Sequence, residues 1–280
     1  MRTFVCVVTI LTCSESALLA GEAWVPMKVE ADGIIMVPAL VNGRGPFPFV
    51  IDTGSNRTAI SGDLAHALEL PIVAKTEVVG VTGREYRAVA RLTASIGASA
   101  PVSLMASIVP PEKLHTTARG IIGQDLLMTL NYTLDYKRQR FTLSLPDAEH
   151  GSSIELPLEV EEGRVILVLP SEAGQHSVRL VPDSGSTGFV VFDRGGRPPF
   201  VMESMNGAMQ VGTMTSTHIV PMVRLREVRL KTLTLRDQMA AVVQRLNKTG
   251  PHIDALLPLS IFETAAFDIE RRRMIVTPRK

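Results

Sequence analysis

Cysteine is nearly absent from this 280-residue chain: Cys6 and Cys13 are the only two, both close to the start. If that start is a removable leader, the remaining chain can use no thiol nucleophile, no disulfide framework and no cysteine-based metal site. An excess of either charge is also lacking. The formal net charge is +1 with acids and bases interspersed, which leaves no electrostatic footprint for nucleic acid or an anionic membrane. The densest basic spot, Arg271 to Arg273, reads as a solvated hairpin. The six histidines are scattered without ligand spacing, so no metal site and no cofactor is expected. No serine stands in a nucleophile-elbow sequence. "GIIGQDLL" lacks the further glycines or the Gly-Lys-Ser/Thr of a phosphate loop. No apolar run is long enough for a stable membrane span.

Hydrophobic residues make up 45% of the chain and charged residues 20%, enough for a sizeable core and against global disorder. The length suits one large domain or two lobes of about 120–130 residues each. The beginning differs from the rest. Met1-Arg2, the apolar "TFVCVVTILTC" and the small-residue stretch ending at Ala20 read as a signal peptide over residues 1–20. A buried first strand and a lipid anchor on Cys13 are the alternatives. The expectation is an exported protein, periplasmic or secreted, beginning at Gly21.

The chain is written twice. With Asp52 set over Asp183, "GIIMVPALVNGRGPFPFVIDTGS" matches "RVILVLPSEAGQHSVRLVPDSGS": an alternating apolar strand, a turn with a glycine (Gly43, Gly174), and a second apolar strand ending on the aspartate. Downstream, "GIIGQDLL" is matched by "ALLPLSIF". Each copy then closes on a strand, a charged turn and a strand, "LDYKRQRFTL" and "FDIERRRMIV". These landmarks predict two lobes, residues 27–147 and 155–280, joined near Leu145 to Pro157. Between them the pattern is mostly short and β-like. One helix stands out, "SGDLAHALELP", with Ser61 as its N-cap and Pro71 as its stop.

The end of an apolar strand is a costly position for a carboxylate unless its neighbours hydrogen-bond it. Here Thr53 and Ser184 supply hydroxyls beside the acids, and Gly54 and Gly185 free the backbone to turn and present N–H groups. If the copies pack about a pseudo-twofold axis, Asp52 and Asp183 face one another. Two carboxyls in contact share one proton over a wide pH range. One can then draw a proton from a held water while the other stabilises the carbonyl oxygen that the water attacks.

On these residues the chain resembles the aspartic peptidases of the retropepsin and pepsin clan. "VIDTGS" and "VPDSGS" are similar to the two catalytic turns. "IIGQDLL" and "LLPLSIF" resemble the elements that thread under each catalytic loop, through Ile121, Ile122, Gly123 and Leu256, Leu257, Pro258. "VVGVTGREYRAVARL" resembles a flap hairpin, with its tip over Gly80, Val81, Thr82 and Gly83 and a candidate substrate contact at Tyr86. The resemblance implies an all-β, bilobal acid-protease fold, two pseudo-twofold-related closed β-barrel lobes with a cleft between them. It implies an aspartic endopeptidase whose dyad is Asp52 and Asp183. Thr53 and Ser184 would lock the two loops together, and Ser55 and Ser186 would offer outer hydroxyls to the carboxylates. One chain carries both acids, so a monomer suffices, and the substrate is a peptide or protein in extended conformation. Departures are Pro258 in the position of Gly123, Pro182 before Asp183, and a Met-rich Met205 to Val220 that fits no flap pattern. Two other readings remain open: a peptide- or partner-binding module without turnover, and a duplicated β structure whose acids only cap turns.

Overall fold

The structure is a computed structural model that describes residues 24–79, 84–115, 117–146, 153–170, 177–193, 200–212, 217–244 and 251–279. The expected leader and the expected flap tip, Gly80 to Gly83, lie outside them. Strands dominate what is described. The N-terminal half contains β1 (Trp24–Pro26), β2 (Lys28–Val29), β3 (Ile35–Val41), β4 (Arg44–Ile51), β5 (Ala59–Ser61) and a short helix α1 (Gly62–Ala67). It continues through β6 (Ile72–Val79), β7 (Arg84–Ile96), β8 (Val102–Val109), β9 (Gly120–Ile122), a single helical turn α2 (Gln124–Leu127), β10 (Tyr132–Asp135) and β11 (Arg140–Thr142). The C-terminal half contains β12 (Ile154–Glu161), β13 (Arg164–Leu169), β14 (Val178–Asp183), β15 (Phe189–Asp193) and β16 (Met202–Gly212). It ends with β17 (Thr217–Leu230), β18 (Leu233–Gln244), β19 (Ala255–Pro258), β20 (Phe262–Asp268) and β21 (Arg273–Pro278).

Local chemistry accounts for these boundaries. Asn42 and Gly43 both take positive φ, 48° and 70°, which suits a two-residue hairpin turn between twisted strands. The Ser61 hydroxyl accepts a hydrogen bond from the Leu64 N–H, capping α1 as its sequence predicts. Glu69, at φ 51°, leads the chain out of the helix before Pro71. The Met-rich stretch that fits no flap pattern is nevertheless the β16–β17 hairpin, paired from Met202↔Leu225 to Gly212↔Thr217 with one irregularity between Ser204 and Ala208.

Among the described residues the strands form two sheets. One has eight strands in the order β2-β3-β4-β9-β5-β8-β7-β6, with β3 also pairing β7. The other has thirteen, in the order β1-β11-β10-β20-β21-β12-β13-β14-β19-β15-β18-β17-β16. The pairings recur in the two halves. β4 runs parallel to β9 as β14 does to β19, and β5 parallel to β8 as β15 does to β18. Neither sheet is a clearly closed barrel, a departure from the expected pair of closed lobes. In the thirteen-stranded sheet the antiparallel pairing of β10 with β20 satisfies strand edges of one half with strands of the other, so these strands continue into a shared sheet. The eight-stranded sheet contains neither strand, and there β3 meets β7 antiparallel.

One apolar cluster spans both halves, from Met27 and Ile35 to Met274 and Val276. At the shared sheet the Tyr132 ring lies between Phe141, 5.5 Å away, and Phe267, 4.8 Å away, with all three rings fully buried and nearly parallel. Phe267→Ala is expected to lower unfolding free energy by about 3–5 kcal/mol, the range for truncating a fully buried aromatic. Urea denaturation followed by the signal of Trp24 measures the loss.

Candidate active site

Asp52 follows β4, and Asp183 ends β14. The inner strands β9 and β19 run beside them, with Ile51 opposite Ile122 and Asp183 opposite Pro258. Apolar strands therefore carry both acids to one level of the molecule, and the following glycines let the two loops meet. A carbon added at Gly54 would lie 2.5 Å from Asp183 Cγ, and one added at Gly185 would lie 2.6 Å from Asp52 Cγ. No side chain fits in either gap. Each loop's glycine is flat against the other loop's carboxyl, and the two carboxyls are hydrogen-bond neighbours.

The residues next to the acids lock the loops. The Thr53 N–H donates to Ser184 Oγ at 3.1 Å, and the Ser184 N–H donates to Thr53 Oγ1 at 3.0 Å. Each hydroxyl passes its own proton across: Thr53 Oγ1 to the Pro182 carbonyl at 2.7 Å, Ser184 Oγ to the Ile51 carbonyl at 2.7 Å. Both side chains are buried, where a hydroxyl must both donate and accept to offset its desolvation. Pro182 costs this arrangement nothing, because its contribution is the carbonyl, not the missing N–H.

Backbone donors hold the acids themselves. Asp52 Oδ1 accepts from the N–H of Gly54 at 3.0 Å and of Ser55 at 2.9 Å, and Asp183 Oδ1 accepts from the Gly185 N–H at 2.8 Å. The outer serines differ from expectation. The Ser55 hydroxyl donates to the Arg57 carbonyl at 2.9 Å and the Ser186 hydroxyl to the Gly188 carbonyl at 2.6 Å. A carbonyl two residues on in a tight turn is the nearer acceptor, so the hydroxyl closes its own loop.

Under the first loop lies a polar support that the motif reading missed. The Gln124 amide donates to the Thr53 carbonyl at 2.8 Å, and the Gln124 N–H to the Ser55 carbonyl at 2.9 Å. Thr58 gives its N–H and hydroxyl to Asp125, the latter at 2.6 Å. A carbon added at Gly123 would meet the Arg57 backbone at 2.6 Å, so this close approach requires glycine. In the second half Pro258 stands at that point in the register, and a 3₁₀ turn (Leu259–Ile261) follows in place of α2. By the same register Phe189 and Ser260 stand where Thr58 and Asp125 do. The second loop therefore rests on a different floor. The signal for the first was present in the sequence as two polar residues, Gln124 and Asp125, after the apolar Ile121 and Ile122 and the glycine Gly123.

A cation also reaches the acids. Arg164, half-buried at the start of β13, donates from its guanidinium to the Gly54 carbonyl at 2.6 Å. Burial raises the Asp52 carboxyl above its ordinary value, against the pull of the Ser55 N–H, the Asp183 hydrogen bond, the Gly54 N–H and Arg164. Burial raises Asp183 much further, and the Asp52 charge adds to it. Asp183 is buried, whereas Asp52 is partly open. Burial thus pushes both carboxyls up, and Asp183 has the fewer backbone donors of the two. Tyr86 lies on β7 opposite Glu77 and is 75% exposed. A separate cavity of about 410 Å³ opens on the shared sheet, lined by Thr133, Asp135, Arg140 and Thr264 among others; neither acid borders it.

Residues 37–126 match the family model described as aspartyl protease. Over those residues the match supports an aspartyl protease domain of the retropepsin-like family. The matched segment contains Asp52 and the strands beneath its loop, and it ends before the second copy. No curated protein matches the chain.

Two outcomes test this geometry. Thr53→Val and Ser184→Ala should each cost about 1–3 kcal/mol, because each leaves a buried N–H and a buried carbonyl without a partner. The double variant should cost clearly less than the two together, since both remove one lock; urea titrations of the four proteins measure the coupling. The pH dependence follows from the raised Asp183. Between the ordinary carboxyl value and its raised one, the folded state holds a proton that the unfolded state has lost, so the contribution to stability falls as pH rises through that window. Asp183→Asn should therefore melt higher than the unsubstituted chain at neutral pH, with the difference shrinking towards pH 3.

Proposed function

We propose that this chain is an exported, single-chain aspartic endopeptidase whose catalytic pair is Asp52 and Asp183. The observation that carries the reading is reciprocal: each loop's glycine backs onto the other loop's carboxyl, at 2.5 Å and 2.6 Å for an added carbon. Two carboxyls so held cannot ionise independently, and they titrate as a pair that keeps one proton over a wide range. Asp52, with two backbone N–H donors on one oxygen, is the partner that ionises first and draws a proton from a bound water. Asp183 keeps its proton and gives a hydrogen bond to the scissile carbonyl oxygen as the water attacks. Proton return to the amide nitrogen then completes cleavage of the C–N bond.

In this reading the halves act as two lobes related by a pseudo-twofold axis, residues 27–147 and 155–280. Their matching strand pairings support it. The substrate is an extended peptide with apolar side chains around the cut, held beneath the β6–β7 hairpin, with Tyr86 beside it. The leader read over residues 1–20 directs export, and no helix among the described residues is long and apolar enough to cross a membrane. Both acids come from one chain, so a monomer is the working unit.

The test is cleavage of a mixed peptide library by the chain from Gly21, scanned from acid to neutral pH. The unsubstituted chain is compared with Asp52→Asn and Asp183→Asn. Cleavage with an acid to mildly acid optimum is expected, and its loss by at least ~1,000-fold in either variant, the scale for removing one member of a catalytic pair that acts as a unit. Folded protein that cuts nothing at any pH, and binds the same peptides in all three forms, would leave a binding module instead.

A further inference from the structure

The acids sit in unequal surroundings, set first by burial and by their backbone donors, and one cation reaches both of them. Arg164 comes from the second half of the chain, directly after the Glu162-Gly163 turn, where φ is 50° and 72°. It crosses to the first half and donates to the Gly54 carbonyl at 2.6 Å. Gly54 is two residues from Asp52, and its Cα face lies against the Asp183 carboxyl. A guanidinium on that carbonyl therefore stands beside both acids at once. The first repeat has Gly33 and Ile34 at the corresponding strand start, so nothing mirrors Arg164 on the other side.

We propose that Arg164 is a positioning residue for the proposed reaction: its fixed charge keeps one carboxylate of the pair ionised further into acid, and its hydrogen bond clamps the Asp52 loop against the Asp183 loop. The inference rests on the peptidase reading for its meaning in catalysis, though not for its effect on titration. An arginine serves because its guanidinium stays charged in proteins while presenting a planar fork of donors. A lone carboxyl pair this buried would hold both protons well above the ordinary carboxyl range, and a neighbouring cation favours the ionised form.

The groups that set the local field are few. Asp52 and Asp183 attract Arg164 from its dyad side, and Glu162 attracts it from its own turn. Burial opposes them by disfavouring its charge. The Tyr136 phenol is raised by burial and then by the Asp183 charge, with Arg279 opposing. Tyr136 remains neutral throughout the working range. Arg164 is therefore the cation whose pull both acids feel.

The experiment compares the unsubstituted chain with Arg164→Gln and Arg164→Lys. Glutamine can still donate to the Gly54 carbonyl but has no charge; lysine keeps the charge. Two readouts are taken across pH: kcat/KM on a cleaved peptide, and carboxyl ¹³C shifts of the two aspartates, which need no turnover. In Arg164→Gln the lower titration step should rise by about 0.5–1.5 units, as removal of a cation near a carboxylate does. The acid limb of kcat/KM should move with it, so activity on that limb falls about 3- to 30-fold. Arg164→Lys should restore most of both. An unchanged lower step in folded Arg164→Gln overturns the proposal. So does a folded Arg164→Lys chain whose lower step rises above that of the unsubstituted chain by the amount expected of Arg164→Gln, a comparison that needs no folded glutamine variant. A chain that cleaves nothing but whose carboxyl shifts move as described sinks the peptidase reading and leaves the electrostatic role of Arg164 standing.

Discussion

The close approach of the two Asp loops depends on four hydrogen bonds between Thr53 and Ser184 and the strands behind them. Each hydroxyl accepts an N–H from the opposite loop and donates to a carbonyl of the opposite strand. The lock sets the separation of the loops, and the loops have no slack: the space beside each glycine is occupied by the other acid. A carboxyl pair is self-repelling once both ionise, so it needs a frame that does not yield. Buried, fully paired hydroxyls provide one, because losing either partner leaves polar groups stranded away from water.

The two sides of this frame are built differently. Beneath the first loop, Gln124, Thr58 and Asp125 form a hydrogen-bonded floor that reaches the loop's own carbonyls. Beneath the second, Pro258 and a 3₁₀ turn supply a floor of fixed φ. Proline removes a donor but also removes conformational freedom, so Pro258 is compatible with a rigid loop and does not displace Asp183 from its partner. The asymmetry extends to the field: two backbone donors on Asp52, one on Asp183, and Arg164 over Gly54. Unequal surroundings make unequal acids, which is the condition for one to act as base while the other holds the proton.

The shared sheet is the structural counterpart of the lock. Pairing of β10 with β20 ties the end of the first half to the end of the second. Around Tyr132 the buried ring stacks on Phe141 and Phe267. The acids and the shared sheet thus brace the halves at two levels, and motion of one half against the other would have to break buried contacts at both. The long hairpins β6–β7 and β16–β17 stand outside this brace, and their strands expose Ile72, Tyr86 and Ile219 to solvent.

By itself the sequence determined what is local. Alternating apolar residues specified the strands, Asn42-Gly43 a hairpin, and Ser61 a helix cap. The repeated Asp-(Thr/Ser)-Gly-Ser turns marked both acids and the residues that lock them, because strand period and turn chemistry act over a few residues. Tertiary structure alone decided the rest. The serine hydroxyls turned to Arg57 and Gly188 because a nearer carbonyl competed for them. A sheet shared by the two halves arose because β10 found its partner in β20. Arg164 met Gly54 across 110 residues of chain, a contact between separate strands that no periodicity along either one encodes.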